Sequence, residues 1–199
     1  MNGLTMSPAI GRLIYGGLVA LTVIGAGVLY GQSEGMIVLP SPKLTAPSFL
    51  TAPDAPESHY APREDLEAID VSLIDEASET IDIAAYVLTD VPVIEALTDA
   101  AARGVKVRLF RFPSSYAESG RIGDALAALE HASGMVEKFK KGPELMHLKS
   151  YCVDGRLLRA GAANFSGSGL RRQNNDLWIF RGPGVCDGFE RAFAAMWSE

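Results

Sequence analysis

The chain has 199 residues, 48% of them hydrophobic and 21% charged, with a net charge of -6. That length suits one ordinary domain with an extension, and the composition excludes a wholly disordered chain or a collagen-like repeat. The acidic balance argues against a polycation that coats nucleic acid, yet residues 138–181 hold nine Lys/Arg against three acids, a local field that would attract anions.

After a short tail (1–12), Leu13 to Gly31 is an uncharged run of 19 residues, long enough to cross a bilayer as a helix. Arg12 precedes the run and Glu34 is the first charge beyond it, a bias that keeps the N-terminus in the cytoplasm and carries the rest outside. We expect an uncleaved anchor. The alternatives are a cleaved signal, for which Val28-Leu29-Tyr30-Gly31 offers no small-residue cleavage site, and a buried core helix. An anchor gives a membrane-tethered domain on the periplasmic or extracytoplasmic side; a cleaved signal gives a secreted one. Residues 32–62 contain Pro40, Pro42, Pro47, Pro53, Pro56 and Pro62 and read as an extended stalk, with His59 on its surface.

Residues 63–199 read as a single domain. Apolar spacing of three and four predicts a helix over Arg63–Ser78, and the β-branched run Thr80–Leu88 predicts a buried strand. Val91–Arg103 returns to helical spacing and stops at Gly104. A strand over Val105–Phe110, a helix over Arg121–His131 and a strand over Met135–Phe139 follow. Leu145–Val153 and Arg156–Ala160 flank Asp154-Gly155, a hairpin signal, and a strand at Leu177–Phe180 precedes a closing helix, Cys186–Trp197. This alternation predicts an α/β sandwich with a parallel or mixed central sheet, preceded by the N-terminal hydrophobic helix. Cys152 and Cys186 are too few for a disulfide framework and match no metal-ligand spacing. We expect them unpaired, although an oxidising compartment would permit one bridge.

Of the three histidines, His131 lies at a helix end and reads as a surface residue, like His59. His147 shares period-two spacing with Lys149, so a strand would turn both side chains to one face and Met146, Leu148 and Ser150 to the other. Holding an imidazole and an ammonium together is costly unless an anion joins them. Asp154 is a turn former or a catalytic carboxylate. The small-residue loop from Gly161 through Asn164 and Ser166 to Gly169 opens a short helix, where close backbone approach and free N–H groups suit an anion.

His147-Leu148-Lys149, followed four residues later by Asp154, resembles the HxK(x)4D signature of the phospholipase D superfamily. Gly161, Asn164 and Ser166 resemble its GSxN element, Asn174 and Asp176 its NxE element, and residues 80–108 its opening strand-helix-strand. The single copy of the motif is closest to the one-motif branch of bacterial endonucleases and the mitochondrial cardiolipin hydrolase/piRNA nuclease type. Two positions depart from the pattern: Ala162 replaces a serine, and Asp176 replaces a glutamate.

The resemblance implies metal-independent and cofactor-free phosphodiester hydrolysis through a phosphohistidine. His147 is then the nucleophile, Lys149, Asn164 and Ser166 hold the phosphate, Asp176 orients the imidazole and Asp154 completes the motif. One histidine cannot be neutral nucleophile and charged acid at once, so a homodimer with a composite site is expected. The substrate reading is nucleic acid, supported by the basic segment with Arg171-Arg172. The alternative is a phospholipase D-type hydrolase releasing phosphatidic acid from phosphatidyl lipids or cardiolipin. A third reading, from another class, is an inactive binding module, given Ala162 and Asp176.

Overall fold

The computed structural model describes residues 55–113 and 119–199; the hydrophobic run 13–31 and the stalk up to residue 54 lie outside them. Among the described residues no helix is long and apolar enough to cross a membrane.

The elements run β1 (Glu57–Ala61), α1 (Leu66–Asp75), β2 (Thr80–Ala85), α2 (Val91–Ala102), β3 (Lys106–Arg111), α3 (Arg121–Glu130), β4 (Met135–Phe139), β5 (Lys149–Val153), β6 (Leu157–Ala160), α4 (Gly167–Arg171), β7 (Asn175–Arg181) and α5 (Asp187–Trp197). The strands form one mixed sheet in the order β1-β7-β6-β5-β2-β3-β4. β2, β3 and β4 are mutually parallel, and β2 meets β5 antiparallel. The β5–β6–β7–β1 half is antiparallel throughout. The mixed sheet follows from the connections: crossover helices α2 and α3 make parallel neighbours, whereas the two-residue turn Asp154-Gly155 makes a hairpin. Both turn residues have positive φ, 51° and 66°, as that turn requires.

One strand departs from the sequence reading. Residues 57–61, assigned to the stalk, form β1, paired residue for residue with β7 from Glu57↔Ile179 to Ala61↔Asn175. A five-residue edge strand borrows its ladder from β7 and so has little local signature. The strand expected from Leu145 also begins later, at Lys149.

Alternation across the strands builds two cores. Ile81, Ile83, Tyr151, Val153 and Leu177 face Leu66, Leu73 and Ile74 of α1 and Val93, Ile94 and Leu97 of α2, all 3% exposed or less. Burying each such side chain contributes about 1.5–3 kcal/mol. Ala84, Phe110 and Met146 face the other way, onto Phe193 of α5. That second face carries a correction: Cys152 on β5 is bonded to Cys186, just before α5, with Cα atoms 6.0 Å apart. The bridge ties α5 to the middle of the sheet.

Asp65 caps α1 by accepting from the N–H groups of Glu67 and Ala68, and Asp90 caps α2 by accepting from that of Val93.

Candidate active site

The register brings the candidate residues to one end of the sheet. β2 ends, β5 begins, β6 ends and β7 begins at the same edge: Ala85 pairs with Lys149, and the β6–β7 ladder closes at Ala160↔Trp178. His147, Lys149, the loop 161–166 and Asp176 all stand there. Asp154 does not. It follows the opposite end of β5, five residues from Lys149 and so roughly 17 Å away.

His147 precedes β5, and its exposed ring rests on Tyr86, with centroids 4.4 Å apart. Lys149 is buried, yet its Nζ lies 4.9 Å from the centroid of the same Tyr86 ring. That ammonium also donates to the carbonyl oxygen of His147 at 2.7 Å. Tyr86, which the sequence reading passed over, thus seats both members of the pair. Its own N–H donates to Leu148 O at 2.9 Å and pins the His147–Lys149 segment to the end of β2. Burial lowers the Lys149 pKa from its usual value. The residues expected to point away divide: Met146 and Ser150 are buried, whereas Leu148 is 38% exposed.

Asn164 is half-buried, with Oδ1 enclosed and unpartnered. Its Nδ2 makes no hydrogen bond among the described residues, so it is an available donor at this edge. The loop is held by its backbone: Thr89 and Asp90 N–H both donate to Phe165 O, at 2.8 and 3.0 Å. Ser166 caps the five-residue α4, its Oγ accepting from Gly169 N–H at 3.1 Å, and its hydroxyl hydrogen has no acceptor among the described residues. Gly161 must be glycine, since a Cβ there would lie 2.4 Å from Asp176 O.

Asp176 does not contact the His147 ring. Its Oδ1 accepts from Ala162 N–H and its Oδ2 from Trp178 Nε1, each at 2.8 Å. Burial pushes its pKa up, and these donors outweigh that and leave it lowered. The expected ring-orienting role within one chain is therefore replaced by bracing the Gly161–Ala162 corner against β7. Asp154 is likewise a brace. Its carboxylate accepts from Ser78 N–H and Oγ, Glu79 N–H and Thr80 N–H at 2.7–3.0 Å. Burial raises its pKa, but those four donors prevail and the net shift is downward.

The positive segment also reads differently when folded. Lys138 bonds Trp197 O, Lys140 pairs with Glu199, Arg171 with Glu67 and Arg181 with Glu76. Of the nine cations, Arg172 alone makes no ion pair or hydrogen bond through its side chain among the described residues. Four of the nine, Lys140, Arg159, Arg171 and Arg181, are neutralised by acids remote in sequence, Arg156 faces Asp154 within the segment, and Lys138, Lys141 and Lys149 rest on backbone carbonyls that leave their charge in place.

Beneath the site lies a buried ion pair with no sequence signature. Arg159 of β6 and Asp70 of α1, both fully buried, make a two-armed pair at 2.9 and 2.8 Å, and Tyr151 Oη donates to Asp70 at 2.9 Å. Burial raises the Asp70 pKa, and the guanidinium opposes it. Arg159 Nη1 also donates to Lys149 O at 2.7 Å and Ala163 O at 3.3 Å. One guanidinium therefore fixes both the strand that starts the His-Lys pair and the loop that carries Asn164. Behind α4, Asp90 faces Glu67; burial, then the Glu67 carboxyl, raises the Asp90 pKa to about 7.

Cys152, Cys186 and Glu190 cluster closely enough to suggest a metal site, but the disulfide occupies both sulfurs.

The match to known proteins agrees with this arrangement. Residues 71–197 match the family model described as "Cardiolipin synthase, PLD-like domain". A mitochondrial cardiolipin hydrolase from Chlamydomonas reinhardtii is 24% identical over 121 residues, 61% of this chain and 52% of that protein. The chain thus spans about half the length of that curated relative. Among solved structures, the phospholipase D family member Nuc from Salmonella typhimurium superposes with a TM-score of 0.62 at 22% identity, covering 72% of this chain and 94% of that one. NucT from Helicobacter pylori gives 0.64 at 19%, covering 72% and 96%. With its His-x-Lys motif inside the matched span, this chain belongs to the phospholipase D superfamily.

Proposed function

We propose that this protein is a phosphodiesterase that hydrolyses nucleic acid through a phosphohistidine. The observation that carries the reading is an exposed imidazole, free of hydrogen bonds among the described residues, seated on Tyr86 beside the anchored Lys149 ammonium. A neutral ring nitrogen of His147 attacks phosphorus, a P–N bond forms, and the P–O bond to the leaving group breaks. Lys149 and the Asn164 amide bind the non-bridging oxygens as charge builds on them.

The leaving oxygen needs a proton, and this chain has no second imidazole at the site. His59 is bound to Glu64 at 2.6 Å and His131 to Ala127 O at 2.7 Å. The acid is therefore the His147 of a second copy, in a homodimer whose two rings meet over one phosphate. In the second step that ring takes a proton from water, which attacks phosphorus and releases His147. Since the nucleophile, acid and cations are all side chains, turnover should persist in EDTA.

Nucleic acid is favoured by the exposed guanidiniums of Arg63 and Arg172, which make no ion pair or hydrogen bond among the described residues. A specific observation favours the lipid reading as second: Phe139, Leu145 and Leu148, 44%, 60% and 38% exposed, lie on the sequence flanking His147. The deciding experiment assays labelled single-stranded DNA and cardiolipin or phosphatidylglycerol vesicles in parallel, with EDTA present. Cleaved DNA that is lost in His147→Ala supports the proposal. Phosphatidic acid release without DNA cleavage transfers the function to lipid.

A further inference from the structure

At the β1 edge, next to the loop 161–163, a cleft of about 590 Å³ opens to solvent. Its walls include Tyr60, Arg63, Ala162, Asn174 and Asp176. Three of these share the edge by register: Tyr60 pairs with Asp176 across β1 and β7, and Asp176 in turn holds Ala162 N–H. β7 lies two strands from β5, so the cleft begins roughly 10 Å from the strand that carries Lys149. That is within reach of a nucleotide adjoining the scissile phosphate.

The chemistry of the cleft is specific. The Tyr60 ring is 49% exposed, costly for an aromatic face unless it is covered in use. Arg63 is exposed and takes part in no ion pair or hydrogen bond among the described residues. Asn174 is exposed too, whereas the neighbouring Asn175 amide is tied to Gly169 O at 2.8 Å. Ala162 supplies a methyl where a serine would narrow the floor and add a hydroxyl. The Asp176 carboxylate in the floor repels phosphate, and each of its oxygens, which already accepts one N–H, keeps a second lone pair for an N–H of a base.

We infer that this cleft is a binding subsite for the nucleobase next to the cleaved phosphodiester, with the base stacked on Tyr60, its edge towards Asn174 and Asp176, and the following phosphate on Arg63. The inference rests on the nuclease reading and adds to it which part of the strand is gripped, and by what. An acyl chain suits the cleft poorly, because it would strip water from Arg63, Asn174 and Asp176 without replacing those hydrogen bonds. A base uses them, and stacking tolerates any sequence.

The test compares two substrates, a short labelled single-stranded oligodeoxynucleotide and bis(p-nitrophenyl) phosphate, which has no flanking nucleotide. For the wild type, Tyr60→Ala and Tyr60→Phe, the ratio of kcat/KM on the oligonucleotide to that on the small diester is measured. Removing one stacking platform should lower this ratio about ten-fold or more, mainly through KM, and Tyr60→Phe should restore it. Arg63→Ala should lower it as well and flatten the salt dependence of oligonucleotide binding. An oligonucleotide cleaved with an unchanged ratio in Tyr60→Ala overturns the subsite and leaves the nuclease reading standing. A wild type that cleaves vesicle lipid and no oligonucleotide overturns both.

Discussion

Replacing Arg159 by Met keeps much of the side-chain volume and removes the charge from a fully buried pair. Asp70 would then be a carboxylate without water or counter-ion, and breaking one partner of such a pair costs about 3–5 kcal/mol. A second cost adds to it, because the carbonyls of Lys149 and Ala163 lose the donor that serves both at 2.7 and 3.3 Å. The described fold has about 140 residues, so a loss of that size lowers Tm by roughly 10–15 °C. The activity loss has a different origin. With the β5 start and the Asn164 loop no longer joined, a displacement of about an ångström would lower kcat about 100-fold. The double variant Asp70→Leu/Arg159→Met separates the two effects, since exchanging a whole buried ion pair for apolar side chains is often neutral for stability. It should regain most of the Tm measured by circular dichroism, yet remain slow on bis(p-nitrophenyl) phosphate. A single variant that loses less than about 1 kcal/mol, or a double variant that recovers stability and turnover together, would refute the reasoning.

His147→Ala should abolish turnover while leaving Tm within a degree or two, because an exposed ring contributes one contact, with Tyr86. Asp154→Ala removes the acceptor of four hydrogen bonds from residues 78–80. It should cost about 1–3 kcal/mol by urea denaturation while affecting kcat on the stable fraction little. Since the folded Asp154 pKa is lowered, that contribution is present above the unfolded value near 3.8 and fades below it, so the deficit should shrink in acid. Asp90 has the opposite sign. With a folded pKa raised from 3.8 to about 7, the native state holds the extra proton and stability declines between about pH 4 and 7. Asp90→Asn keeps the cap on α2 and should flatten the Tm-against-pH curve over that interval. Reducing the Cys152–Cys186 bridge, which closes a span of 34 residues, should lower stability by about 3–4 kcal/mol, read as a Tm shift with and without reductant.

Much of the fold was legible because its signals are local. The stop at Gly104, the Asp154-Gly155 turn and the apolar periods of α1, α2 and β3 each lie within a few residues, and boundaries shifted by three positions or fewer except at the start of β5, which moved by four. The His147–Lys149 pair was legible as a motif, although the parity argument reached only Lys149, since β5 starts there. The illegible features are those whose cause is distant. Asp70 and Arg159 stand 89 residues apart and look like ordinary surface charges until α1 is laid on the sheet. β1 hides in a proline-rich stretch because its ladder comes from β7. The charge of residues 138–181 was overstated because the acidic partners of four of its cations, Asp70, Glu67, Glu76 and Glu199, lie outside that window. Asp176 kept its place at the site edge but not the expected partner, because its short side chain is held by Ala162 N–H and Trp178 Nε1.

The placement of Cys152 on β5 has a consequence for Lys149. Neighbours along a strand look to opposite sides, and here the odd-numbered positions Lys149, Tyr151 and Val153 share the side of Asp70, while Cys152 looks to α5. Sliding this strand by a single position would exchange the two sides and send the ammonium under α5. A covalent bond on the even side forbids that slide, so the cystine acts as an alignment pin for a cation three residues away that it never touches.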